Sequence, residues 1–274
     1  MKGKIIVYSL ITFLLALMVY FGVKAYAQAK IYERTTTELV GYQSAEEQAK
    51  LTLESIAKSI LGDWYEDERK RKIDKIRIKQ NTAMEQAQQY TCYFMLVLLC
   101  LLLCYFFTSL RAFTLFGALA AMITLFFGLL APILMVTIHK EVEYLGDIVL
   151  SFESKGVMGS ILKLWESEDF IVAGVIFLFS VLIPMLKTFS LLFISVFMGN
   201  KFAHTIVRFF KIIGKWSMVD VFVVAVFLVY LTANKSDVSR AQVEVGLYFF
   251  LAYVIVSMLM SLSADKMLSR VHSE

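Results

Sequence analysis

Proline, cysteine and charge are all scarce in this chain, and each shortage excludes something. Two prolines among 274 residues leave long stretches free to be helical, because proline removes a backbone donor and breaks helix interiors. The three cysteines, Cys92, Cys100 and Cys104, lie in one apolar run. They form no Cys-x-x-Cys pair, so a zinc ribbon is excluded and no metal site is expected. Cys100 and Cys104 stand four apart on one helix face, which suits two small apolar residues rather than a disulfide. The histidines His139, His204 and His272 fall at loops or ends, far apart. No Walker, G-x-S-x-G or H-E-x-x-H motif occurs. The chain therefore reads as a non-enzyme without a cofactor. Charged residues make up 18%, against about 25% in soluble domains, and a basic, aromatic-bearing soluble face for nucleic acid is confined to one segment at most.

Apolar residues are what the chain has in excess, at 59% with a mean hydropathy of +0.70. They fall into runs long enough to cross a bilayer, at about 20 residues each. The runs are Ile5–Val23, Tyr90–Leu110, Ala112–Ile138, Ile171–Met198, Ser217–Ala233 and Val245–Leu262. The expectation is an all-α polytopic membrane protein with about six transmembrane helices and a small helical extramembrane segment. The first run follows Lys2 and Lys4 and precedes Ala25-Tyr26-Ala27, like a signal peptide. Its length favours an uncleaved membrane helix. Residues 1–24 are thus a first membrane helix, 25–89 a helical segment outside the membrane, 90–111 a second membrane helix, 112–265 a four-helix unit and 266–274 a tail.

Within 25–89, Leu53, Ile56, Ala57, Ile60, Leu61 and Trp64 recur at helical spacing, with Ser44 and Glu47 as a capping box. After Gly62, acidic Glu66-Asp67-Glu68 leads into basic Arg69–Lys72, Lys75, Arg77 and Lys79, as a second helix prefers. That basic face reads as solvated, or as a contact for anionic lipid or a partner. Residues 139–170, with Gly146, Gly156 and Gly159, are expected to fold back on the rim with Trp165 at the interface. Asn200–Trp216 reads as an amphipathic surface helix. Lysine and arginine near the run ends place both termini in the cytoplasm.

Lys187 lies deep inside the fourth run, three residues after Pro184. A lysine at such depth costs at least ~2.5–3.5 kcal/mol and is normally kept where it faces a bundle interior and has a partner. Ser180 stands seven residues earlier, and Pro184 frees the Ser180 carbonyl. Ser217 and Asp220 share a face on the next run. Lys187 is about 11 residues, ~16 Å, from the end of its run, whereas Asp220 is one or two turns into its own. Two readings stand side by side: Asp220 lines its helix end while Lys187 snorkels, or the two form a buried ion pair or proton-exchange site. Tyr253 and Ser257 on the last run are possible further members, or ordinary packing residues.

Four motifs carry a resemblance: Leu129-Leu130-Ala131-Pro132; Gly156-Val157 through Leu164-Trp165-Glu166; Phe179 through Lys187; and Lys215-Trp216-Ser217-Met218-Val219-Asp220-Val221-Phe222. Together, over about residues 112–265, they resemble the paraquat-inducible protein A family. The resemblance implies a Gram-negative inner-membrane protein that handles phospholipid between membranes, driven by protons, with a periplasmic MCE-domain partner. It implies Ser180, Lys187, Ser217 and Asp220 as an intramembrane polar network, with Pro132 and Pro184 as helix breaks. Typical members have two such units and zinc ribbons; this chain has one unit and no ribbon, and its first half could dock a partner, pair two copies or sense a ligand. A membrane-anchored sensor or scaffold acting through 25–89 is the alternative. A small-molecule exporter would need oligomerisation to enclose a path.

Overall fold

In the computed structural model, residues 2–42, 66–142, 146–197 and 239–271 are described. Two long helices come first: α1 over Lys2–Tyr42 and α2 over Glu66–Leu103. Each carries an apolar membrane-crossing stretch and runs on as one rod, through residue 24 in α1 and through residue 89 in α2. Beyond Val23, α1 continues for about 28 Å at 1.5 Å per residue.

The contact between these rods runs along a seam rich in small residues. Among the buried positions of α1, Met18, Gly22, Ala25, Ala29, Tyr32, Thr36 and Leu39 have an alternating four-three spacing that marks a coiled-coil seam. Ala83, Ala87, Thr91, Phe94, Leu98 and Leu101 line α2. Alanines on both sides let the backbones approach closely. Gln80 Nε2 donates to Thr36 Oγ1 at 2.7 Å across the seam.

After a 3₁₀ turn at Cys104–Phe107, the Ser109 hydroxyl caps α3, Leu110–Leu130, by accepting from the Ala112 N–H at 3.4 Å. The third run was expected to be helical to Ile138. It is helical only to Leu130, because Ala131 before Pro132 takes an extended conformation (φ −72°, ψ 149°), as the residue preceding proline tends to. Leu134–Val142 is instead a strand, β1, with Val136, Thr137 and Ile138 in it, residues whose branched Cβ suits a pleated surface. It pairs antiparallel with β2, Gly146–Lys155, and with β3, Ser239–Val243, in the order β2-β1-β3. A bulge lies between Ile138 and His139. The fold-back segment is therefore a hairpin plus a short helix α4, Val157–Glu166, with exposed Trp165 edge-on to Phe170 at 5.2 Å. The expected helical membrane architecture holds, and this small sheet is added to it.

The fourth run divides into α5, Phe170–Phe177, a π turn at Leu178–Leu182, and α6, Ile183–Phe197. The last helix is α7, Val245–Val271. Five helices among the described residues are long and apolar enough to cross a membrane. Side chains such as Ile171, 84% exposed, lie on their outer faces, where lipid rather than water suits them. The sixth run, at 217–233, the capping box at Ser44 and the amphipathic stretch at 200–216 lie outside the described residues.

The bundle centre forms where α3 packs along α7, with α6 against α3 and α2 reaching in. Phe94 of α2 meets Phe249 of α7 edge-on at 4.8 Å and Phe127 of α3 at 6.2 Å. Thr114 and Ser263 share a hydrogen bond at 3.0 Å. Arg111 donates from Nε to the Ser195 carbonyl and from Nη2 to the Val196 carbonyl, each at 2.8 Å. It thereby supplies donors to two carbonyls near the C-terminal end of α6. The sheet joins the bundle through Gly246, whose N–H donates to the Pro132 carbonyl at 2.9 Å. A Cβ at Gly246 would lie 2.6 Å from the carbonyl oxygens of Ala131 and Pro132, backbone atoms that cannot swing aside. We expect Gly246→Ala to cost about 1–3 kcal/mol by forced backbone movement and Arg111→Ala about 1–3 kcal/mol through its unpaired carbonyls. Thermal unfolding of the detergent-solubilised protein checks both, and unchanged midpoints would contradict these roles.

Candidate functional site

Lys187 sits on α6, about 14 Å in from the Val196 end of its crossing stretch at 1.5 Å per residue. It is 6% exposed. Its ammonium donates to Ser257 Oγ of α7 at 3.1 Å. One residue on, Thr188 Oγ1 donates to the Pro184 carbonyl at 2.9 Å and lies 3.3 Å from the Tyr253 hydroxyl. The Tyr253 hydroxyl in turn donates to the same Pro184 carbonyl at 3.0 Å. Ser257 Oγ also donates to the Val254 carbonyl at 3.1 Å, and Ser261 Oγ to the Ser257 carbonyl at 2.9 Å. These groups form a polar seam between α6 and α7 inside a largely apolar bundle.

Local sequence accounts for the seam. Proline cannot donate to the carbonyl one turn back, so the helix relaxes into the wider π turn just before Pro184. Such turns recur at functional sites. The widened turn also shifts the register, so a seven-residue spacing across it no longer guarantees a common face. Ser180 lies in the turn itself and is half-buried, while Pro184, Lys187 and Thr188 are buried. Pro132, the other expected break, ends α3 and passes the chain to the sheet. Ser217 and Asp220 lie outside the described residues.

The structure thus brings Lys187 to Ser257 and sets Tyr253 at Pro184, joining the two secondary candidates to the principal one. Sequence reasoning missed Thr188. Its position four residues after Pro184 was a usable signal, since threonine hydroxyls bond back to the carbonyl at that spacing. Chemically, the seam offers one fixed cation and several hydroxyls that can accept or donate. That set can hold an oxyanion or pass a proton; among the described residues no group of three metal-ligating side chains accompanies it.

A multi-pass helical membrane protein with a lysine seated in a hydroxyl-lined seam is the class these features define. A family model, Paraquat-inducible protein A, matches residues 112–270, more than half of the chain. The chain belongs to that family. The Intermembrane transport protein PqiA of Escherichia coli (strain K12) is 27% identical over 129 residues, which is 45% of this chain and 30% of that protein. The protein of the same name from Shigella flexneri matches equally. A Haemophilus influenzae protein named Probable intermembrane transport protein is 26% identical over 118 residues, 41% of this chain and 28% of its own length. The match therefore covers under a third of each of these relatives. No solved structure matches the chain at a significant level.

The seam has a separable energetic signature. Removing the acceptor alone, in Ser257→Ala, leaves a buried ammonium short of a bond and should cost about 1–3 kcal/mol. Removing the charge with shape retained, in Lys187→Met, should cost less or even stabilise, as replacing buried ionic groups by apolar isosteres often does. Unfolding of both variants in lipid nanodiscs tests the ordering; the reverse order would mean that the ammonium is not held by Ser257.

Proposed function

We propose that this protein is the inner-membrane component of an intermembrane lipid-transport system, with both termini in the cytoplasm. Its cargo is phospholipid, its partner a periplasmic MCE-domain protein, and its conformational cycle is coupled to protons. The reading rests on membership of the family together with one observation: Lys187 is buried at membrane depth and hydrogen-bonded to Ser257 within the family-matched segment. A cation kept in hydrocarbon has a cost, and the chain bears it where a lipid phosphate would need a positive charge with hydroxyls beside it. Ser180, in the π turn, and Ser217 and Asp220, on the following run, complete the network in this reading. Protonation of Asp220 would release Lys187 for the phosphate, and its ionisation would take the ammonium back. The reading also admits a second copy of the chain to enclose the lipid.

Native mass spectrometry of the purified protein should find bound phospholipid and report the subunit number. Lys187→Ala should lose most of the bound lipid, by tenfold or more if one charge-assisted contact of about 1.5–3 kcal/mol is removed, while still inserting. Asp220→Ala, which cannot take the ammonium back, should keep its lipid but abolish transport. Wild-type lipid occupancy in Lys187→Ala, or wild-type transport in Asp220→Ala, would overturn the assignment. A sensor or scaffold role has one observation in its favour, the rod of α1 and α2 that extends past the apolar stretches. Under that reading, removing residues 45–85 abolishes activity and Lys187→Ala is silent.

A further inference from the structure

Glu244 stands at the corner where β3 passes into α7, one residue before the membrane-crossing stretch Val245–Met267. It is 5% exposed. Its backbone is held firmly: the N–H donates to the Ile133 carbonyl at 2.9 Å, and its own carbonyl accepts from the Leu247 N–H at 3.2 Å. The side chain is not so well provided. Its Oε1 is buried and has no hydrogen-bond partner among the described residues.

The titratable neighbours that act on it come from α1. Glu33 sets a second negative charge against it, and Tyr32, itself buried in the α1 seam, feels the Glu244 charge. Lys30, on the same helix, is engaged with Glu33 Oε2 at 2.8 Å. Burial first, and the Glu33 carboxylate second, push Glu244 up to about 7 from its ordinary 4.5. The neutral acid can lie in this corner beside a carboxylate, whereas the ionised form has no donor at Oε1 and faces a like charge.

We propose that Glu244 is a proton-binding site that holds the α1 rod against the head of α7 when protonated and lets it swing away when ionised. α1 is the element that yields. The Glu244 backbone is tied to Ile133, and Gly246 to Pro132, whereas α1 meets this corner through packing against α7 and β2. The device lies 13 residues from Ser257 in sequence, about 20 Å along α7, and does not depend on which cargo the Lys187 seam handles.

The pH window follows from the sign of the shift. Below 4.5 the carboxyl is protonated folded and unfolded alike, and the corner is closed without penalty. Between 4.5 and about 7 the folded protein keeps a proton that the unfolded chain has lost, so stability falls as pH rises. Above about 7 the folded form ionises and the corner opens.

Electron–electron double resonance on the full chain in nanodiscs reads the opening directly. Cys92, Cys100 and Cys104 are replaced by serine, and spin labels are placed through Arg34→Cys and Tyr248→Cys, both exposed positions. Raising the pH from about 5 to about 9 should move the distance population from short to long with a midpoint near neutrality. Glu244→Gln should stay short throughout, and Glu33→Gln should move the midpoint to lower pH. A wild-type distance that ignores pH, or the same shift in Glu244→Gln, overturns the proposal. If Glu244→Gln does not fold, Glu33→Gln decides alone, and an unmoved midpoint overturns it.

Discussion

A polar group placed in hydrocarbon has to be satisfied by the protein itself, and the architecture around Lys187 follows from that constraint. An ammonium cannot be left against lipid tails at the depth where α6 carries it. It needs a second helix close by, with a hydroxyl at the right height. α7 supplies that hydroxyl at Ser257, at 3.1 Å. Beside it, Tyr253 and Thr188 both donate to the Pro184 carbonyl. Polar side chains from two helices thus gather around one lysine and one proline. The tight α3–α7 contact secures α7 from its other side, with Met260 against Gly117 and the Thr114–Ser263 bond nearby.

The same constraint explains the sheet. Once Pro132 ends α3, the chain has left the apolar stretch and its backbone groups need partners that a helix no longer provides. Pairing β1 with both β2 and β3 satisfies them. Because β3 leads directly into α7, the sheet also sets where α7 begins. Gly246 allows that start to press onto the carbonyls of Ala131 and Pro132. The height of Ser257 beside Lys187 is therefore referenced to a backbone joint at the far end of the same helix, and the joint is where Glu244 lies buried.

Much of this was legible from the residues, and the rest was hidden for physical reasons. Apolar run length announced the crossing helices, because hydrocarbon thickness leaves little choice. A lysine inside such a run announced the site. The strand at Leu134–Val142 was hidden because a short apolar run reads equally as helix or strand until its partners are known, and β3 arrives from 97 residues beyond the end of β1, counting from Val142 to Ser239. The seam of α1 was visible in principle as a four-three spacing from Met18 to Leu39, but its alanines and threonines carry too little hydrophobicity to stand out. Tyr253 and Ser257 could be named as candidates but not joined to Lys187, since nothing in a chain's spacing aligns two helices 66 to 70 residues apart in sequence. The burial of Glu244 could not be read from spacing, because burial is a property of packing.

Two kinds of construction meet in this chain. Residues 112–270 follow the family, while α1 and α2 form a two-helix rod whose seam runs through and past its crossing stretches. The rod is not a bystander to the family unit. Phe94 of α2 is clasped by Phe127 and Phe249, and a Cβ at Gly22 of α1 would strike the Phe127 ring at 2.2 Å, so both rods are fitted to the α3–α7 core. Aromatic packing of this kind is insensitive to pH and anchors the rod within the crossing region. The Glu33 charge that acts on Glu244 lies further along α1. On the proposal made above, a rod fixed at one point by dispersion and at another by a proton has a fulcrum and a latch. That division would let the bundle keep Lys187 covered while the α1 extension responds to pH.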